Sequence, residues 1–241
     1  MYGMYGYGYG YGFDPTIILV LIGVALSLWA QGRVNSTFSR YSRVRSMTGM
    51  TGAEAARRLL NAQGIYDVTV QPIAGELTDH YDPRTKTVNL SQSVYGVTSV
   101  AAIGVAAHEC GHAMQDNEGY APLRFRSALV PVANFGSSLS WPLILLGLVF
   151  GGLGSPLVEI GILMFSLAVL FQLVTLPVEY NASARAVRLL DSQGILAGEE
   201  VSGTRKVLNA AALTYVAAAA TSILQLLRLI ILFGGRNRRG N

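Results

Sequence analysis

His108-Glu109-Cys110-Gly111-His112 reads as H-E-x-x-H. On a helix, positions four apart share one face, so the two imidazoles converge on a single ion while Glu109, one step round, reaches a water on it. With three protein ligands and one open position, zinc lowers the pKa of bound water to about 7 and polarises a scissile carbonyl. Glu109 then stands where a general base is needed, taking a proton from water and returning it to the leaving amine. The motif alone turns up by chance in on the order of one chain in a hundred of this length. Its context sharpens it: of only three histidines in the chain, two stand here, in a run otherwise made of Ala, Val, Ile and Gly. The alternative is a pair of neutral histidines satisfied inside a core. Two imidazoles and a carboxylate within one turn of an apolar helix are, however, costly to bury without a shared ligand.

A third ligand must come from elsewhere. The acidic residues after the motif are Asp116, Glu118, Glu159, Glu179, Asp191, Glu199 and Glu200. Asp116 and Glu118 follow the motif too closely, Glu159 sits near the end of an apolar stretch, and Glu199 and Glu200 follow Gly198 in a loop-like segment. Glu179 lies directly after an apolar stretch, at the start of the helical-looking segment Glu179 to Leu190, where a second helix could dock beside the first. The other reading of Glu179 is a carboxylate flanking a membrane span. Zinc, one ion per chain, is the metal that this chemistry calls for, although other divalent ions suit two imidazoles and a carboxylate.

The elements that must position these groups follow from the composition. Apolar residues make up 51% of the chain and charged residues 13%, the latter about half the usual soluble share, which points to lipid. One cysteine, Cys110, excludes an intramolecular disulfide. The net charge of +4 comes without a basic run interleaved with aromatics, so nucleic acid is not an expected partner. Residues 1–14 alternate Tyr and Gly and carry too little to bury a core. Residues 15–31 form an uncharged stretch followed by Arg33, Arg40, Arg43 and Arg45, which predicts an uncleaved transmembrane helix with its N-terminus outside. Residues 32–127 hold ten of eighteen basic and eight of fourteen acidic side chains and read as a soluble unit. Within it we expect a helix over Thr51 to Ala62, strands over Asp67 to Gln71 and Thr87 to Leu90, a turn at Asp82-Pro83-Arg84, and a motif helix from about Ser91 or Thr98 to Asp116. Residues 128–178 predict a transmembrane hairpin broken by Gly151 to Pro156, and residues 179–209 return to the polar side as the second part of the active domain. Residues 210–241 form an apolar helix, spanning or interfacial, with a basic tail. Arg236, Arg238 and Arg239 tilt the reading towards interfacial, because a span would carry them outside.

Leu77-Thr-Asp-His-Tyr-Asp-Pro-Arg, Val105-Ala-Ala-His-Glu-Cys-Gly-His-Ala, Pro177-Val-Glu-Tyr-Asn-Ala-Ser-Ala-Arg-Ala and Leu208-Asn-Ala-Ala-Ala-Leu-Thr-Tyr-Val-Ala-Ala together carry a resemblance. In them the chain resembles the YugP-type family of neutral zinc metallopeptidases of bacterial membranes, from about residue 40 onward. It is more distantly similar to the HtpX and CAAX prenyl protease group. The resemblance implies a gluzincin arrangement, with His108, His112 and Glu179 as metal ligands and Glu109 as catalytic glutamate. It also implies that Asp79 to Asn89 form a strand pair whose exposed edge takes up an extended substrate. His80 and Tyr81 then either face the site and support a developing oxyanion or anchor a turn. Arg185 either pairs with an acidic group behind the ligands or is a membrane-flanking charge. One departure stands out: HtpX-like enzymes carry an aspartate four residues after the glutamate ligand, where this chain has Ser183.

The expected fold is a mainly α membrane protein with a small antiparallel β-sheet, a gluzincin-type metalloprotease core split by a transmembrane helical hairpin. The expected function is a zinc-dependent endopeptidase of the bacterial plasma membrane. It would be multi-pass, with its site on the cytoplasmic side, and would act on membrane or membrane-adjacent polypeptides. The alternative is a non-catalytic membrane zinc-binding protein that scaffolds a partner, and geometry separates the two, since a structural zinc is closed by four protein ligands.

Overall fold

The computed structural model describes residues 14–152 and 155–234; the Tyr/Gly-rich N-terminus up to residue 13 and the basic tail with Arg236, Arg238 and Arg239 lie outside these. Six helices and three strands follow in the order α1 (Ile17–Ser42), α2 (Gly52–Ala62), β1 (Thr69–Pro72), β2 (His80–Asp82), β3 (Thr87–Leu90), α3 (Val100–Asn117), α4 (Ala121–Gly151), α5 (Pro156–Ser192) and α6 (Glu199–Phe233).

Helix α2 starts in a capping box: the Glu54 backbone N–H donates to Thr51 Oγ1 at 3.2 Å and the Thr51 N–H to Glu54 Oε2 at 2.8 Å, satisfying two otherwise orphaned donors. It buries Ala53, Ala56, Leu59 and Leu60, against a core that also takes Val88 and Leu90 of the sheet, Ile103 and Met114 of α3 and Leu190 of α5. The motif helix α3 begins at Val100, after Ser99, whose hydroxyl accepts from the Ala102 N–H. It is buried along nearly its whole length, which explains its Ala and Gly content.

The sheet order is β1-β3-β2, with β1 parallel and β2 antiparallel to β3. The expected antiparallel sheet is therefore mixed. Alternation of polar and apolar residues marks strands but carries no direction. Here the chain leaves β1, turns back as β2, and turns again through Pro83 to Lys86, so β3 slots between them running parallel to β1. Strand β2 is left as an edge.

Helices α1, α4, α5 and α6 are long and apolar enough to cross a membrane. Trp29, Phe135, Val149, Phe150, Leu163 and Ile231 on them are more than half exposed, which suits lipid rather than water. Between charged residues the sequence leaves 15–32, 127–158, 160–178 and 207–227 uncharged. Helix α6 runs antiparallel to α1. Arg228 Nη2 lies 3.0 Å from Asp14 Oδ2 at one end, Thr221 Oγ1 donates to the Gly23 carbonyl at 3.1 Å midway, and Gly203 lies against Tyr41 at the other end. The last apolar helix is thus, by length and composition, a fourth candidate span, packed in register along the first.

In cells, Asp14→Cys and Gly234→Cys should react with a membrane-impermeant maleimide from one side and Ser36→Cys from the other. Labelling of Gly234→Cys together with Ser36→Cys would return α6 to the interface.

Candidate metal centre

Helices α3 and α5 cross closely enough to bring the motif onto Glu179. Gly111 makes this possible: a Cβ there would stand 2.5 Å from the Ala182 carbonyl oxygen, a backbone contact that cannot yield. The variable position inside the motif is thus committed to glycine by packing. Cys110, on the opposite side, is buried in the core with its thiol 3.6 Å from the Ala56 carbonyl. Burial pushes its pKa well above the usual thiol range, so it has the character of an inert core residue.

His108, His112 and Glu179 present ligand atoms all within 4.8 Å of one another. Glu179 Oε2 lies 3.2 Å from His108 Nε2 and 3.5 Å from His112 Nε2. Ligand bonds of about 2.0–2.1 Å on a tetrahedron put donor atoms about 3.4 Å apart, which the two distances from Glu179 match, and the donor set fits zinc in kind. The far nitrogens are also engaged. His112 Nδ1 lies 3.0 Å from Gln115 Oε1, and the Gln115 amide donates in turn to the Val178 carbonyl at 2.9 Å and to Asn181 Oδ1 at 3.0 Å. With its amide so committed, Gln115 offers only an acceptor to His112, which fixes the proton on Nδ1 and leaves Nε2 free to ligate. His108 Nδ1 lies 3.1 Å from Ser183 Oγ. Ser183 therefore occupies the place behind a histidine that the sequence comparison had associated with an aspartate. With no ion present, burial works to lower the His112 pKa, but the Glu179 and Glu109 carboxylates outweigh it and hold the imidazole above its ordinary value. Protons therefore compete with metal for this site.

Glu109 is buried on the same helix, and its Oε2 accepts the Tyr81 backbone N–H at 2.9 Å. The outward Tyr81 N–H of β2 is thus taken up by Glu109, and beside them opens a cavity of about 490 Å³, lined also by His80, Leu123, Arg126, Val130 and Tyr215. A second cavity of about 350 Å³ opens on the other side of His108, Glu109 and Glu179, with Val34, Leu77, Val105, Leu208 and Ala212 in its wall.

Of the remaining expected residues, His80 lies in the cavity wall with Nδ1 at 2.8 Å from the Thr78 carbonyl and Nε2 at 3.2 Å from Asn89 Nδ2. The Tyr81 phenol donates to Asp116 Oδ2 at 2.8 Å, and Lys86 Nζ lies 2.7 Å from the same oxygen. Arg185 lines neither cavity. Its Nη1 meets Glu118 Oε1 at 2.6 Å and its Nε donates to Asn181 at 2.7 Å, tying α5 to the end of α3. Three participants escape a reading of the sequence. Gln115, three positions after His112, carries a signal in its helical spacing. Arg126, whose Nη1 lies 3.6 Å from Glu179 Oε1, and Tyr215, in the wall of both cavities, arrive from distant helices and carry none.

This arrangement defines a membrane protein with a buried two-histidine, one-carboxylate site able to hold a divalent metal beside a further carboxylate. Residues 16–234 match the family described as "Putative neutral zinc metallopeptidase", and the chain belongs to that family. It is 50% identical over 217 residues to "Putative membrane protease YugP" of Bacillus subtilis (strain 168), an alignment that covers 90% of this chain and 96% of that relative. No solved structure matches it.

Gln115→Leu should weaken zinc binding about 10–100-fold, the usual cost of losing a ligand's outer partner, with the helical content unchanged; zinc affinity by competition with a chelator checks this. Burial works to raise the Asp116 pKa, yet the bonds from Lys86 and Tyr81 outweigh it and hold the carboxyl below its ordinary value of 3.8. A depressed folded-state pKa stabilises the fold above the unfolded value, a contribution lost as pH falls through the folded one. In metal-free protein, Asp116→Asn should lower the melting temperature at pH 7, by an amount that shrinks below about pH 4.

Proposed function

We propose that the protein is a membrane-embedded zinc-dependent endopeptidase that hydrolyses membrane or membrane-adjacent polypeptides, with its site on the cytoplasmic side of a bacterial plasma membrane. The observation that carries this reading is the meeting of three ligand atoms within 4.8 Å of one another with a separate carboxylate, Glu109, turned to an open cavity and an edge strand. A closed structural site would use a fourth protein ligand and would need neither.

His108, His112 and Glu179 would hold the ion, which when bound supplies a water of lowered pKa and polarises a carbonyl. An extended substrate lying in the cavity beside β2 comes within reach of Glu109. Glu109 accepts the proton of the attacking water and hands it to the leaving nitrogen. Tyr81 serves through its backbone N–H, which orients the Glu109 carboxylate, while its phenol stays with Asp116. Burial and the Asp116 carboxylate both push the Tyr81 phenol's pKa up, so it remains a donor there. Arg126, Tyr215 and His80 are the polar groups of the wall that can meet negative charge developing on a scissile carbonyl. The positive-inside pattern of Arg33, Arg40, Arg43 and Arg45 supports the cytoplasmic placement.

Wild type and Glu109→Gln, purified side by side, should each carry about one zinc per chain. Only the wild type should cleave casein or a membrane-anchored polypeptide in vesicles, with a loss on the order of 10²–10⁴-fold or more in the variant. Zinc in both with cleavage by neither would instead favour the non-catalytic binding protein.

A further inference from the structure

An open cleft of about 670 Å³ between α1, α5 and α6, with Arg33, Arg40 and Lys206 exposed at its mouth, lies apart from the candidate metal centre and shares no lining residue with the two cavities there. Arg33 and Arg40 enter it from α1, two helical turns apart and so on one face, and Lys206 enters from α6. No carboxylate lines it. Four other cations meet carboxylates, Lys86 at Asp116, Arg185 at Glu118, Arg228 at Asp14 and Arg126 at Glu179, while Arg57 and Arg58 donate to uncharged oxygens. Arg33, Arg40 and Lys206 have no ion-pair partner among the described residues. Three like charges converging on one cavity without a counter-charge repel one another, and an anion seated among them relieves that repulsion. Thr37, Tyr180 and Asn209 add uncharged donors to the same wall.

The cavity's level in the fold says which anion. Arg33 and Lys206 are the first charged residues beyond the uncharged stretches 15–32 and 207–227, so the cations stand where a bilayer's phosphates lie. Ala210 and Leu213 continue the wall along α6 into its apolar part, the direction in which acyl chains would run. Guanidinium groups offer paired N–H donors that match phosphate oxygens. The Arg40 guanidinium is carried 5.7 Å from the Tyr41 ring centre, and that ring rests on Gly203 of α6, where a Cβ would come within 2.6 Å of it. The floor of the cavity is thus built by close helix packing.

We propose that this cavity binds the phosphate of an anionic membrane phospholipid, clamping α1 to α6 at the membrane boundary. The site is independent of the hydrolytic chemistry, so binding is read directly. Full-length protein, stripped of lipid in mild detergent, is titrated with phosphatidylglycerol or with phosphatidylcholine of the same chains, and the bound lipid is counted by native mass spectrometry. Wild type should prefer phosphatidylglycerol. Arg33→Gln, Arg40→Gln and Lys206→Gln together should weaken it about a hundredfold. Arg43→Gln, Arg45→Gln and Arg188→Gln, an equal loss of charge outside the cavity, should leave it nearly unchanged. If the cavity triple variant melts before measurement, Arg33→Gln and Lys206→Gln singly should each weaken binding several-fold. Equal loss in both triple variants would reduce the effect to a general surface field and overturn the proposal. So would equal retention of phosphatidylcholine, or displacement of the lipid by low-millimolar inorganic phosphate, which would make the ligand a soluble anion.

Discussion

Glu179 carries a carboxylate that is 2% exposed at the point where α5 leaves its uncharged stretch. Removing a partner from a buried charge costs about 3–5 kcal/mol, so the surroundings have to answer it. They do so with His108 and His112 on one side and Arg126 on the other. Meeting that demand constrains much else. α3 must approach α5 to backbone contact, which excludes any side chain at Gly111. The Val178 carbonyl and Asn181, which flank Glu179 on α5, must bond Gln115. The second turn of α4 must bring Arg126 over the same carboxylate. An ion of charge +2 among these groups would neutralise what the protein groups alone balance only in part, which is the physical sense in which this group could hold a metal.

The same carboxylate sets the height of the site relative to the bilayer. The uncharged stretches of the four long helices end, on one side, at Arg33, Arg126, Glu179 and Lys206. The metal centre is therefore built at the boundary, with its two histidines supplied by a helix outside the bundle and its carboxylate by a helix inside it. The cavity under β2 opens beside the polar domain, and the second cavity, with its apolar wall, lies towards α1 and α6.

The resemblance to an HtpX-like layout points to the histidines and the two glutamates, but not to the manner in which the histidines are held. Ser183 stands behind His108 and Gln115 behind His112. A neutral serine and a neutral amide add no charge to a site already buried, and they orient the rings by hydrogen bonding alone.

Much of this was legible in one dimension. Four-residue spacing on a helix is a local property, so His108, Glu109 and His112 were visible without a fold, and hydropathy marked the first span and the hairpin because burial in lipid acts on every residue of a stretch. The family segments pointed to Glu179, which the fold brings beside His108 and His112 in a group able to hold a metal ion. Strand direction, the in-register seating of α6 on α1, and the arrival of Arg126, Tyr215 and Ser183 at the site were decided only by tertiary structure. Each depends on which surfaces meet after the chain has folded back over many residues. A lone arginine or tyrosine in an apolar helix looks the same in the sequence whether it faces lipid, a partner helix or a cavity. His80, Tyr81 and Arg185 illustrate the point: their types admitted two roles each, and what separated those roles was the neighbour each side chain reached, Asn89, Asp116 and Glu118.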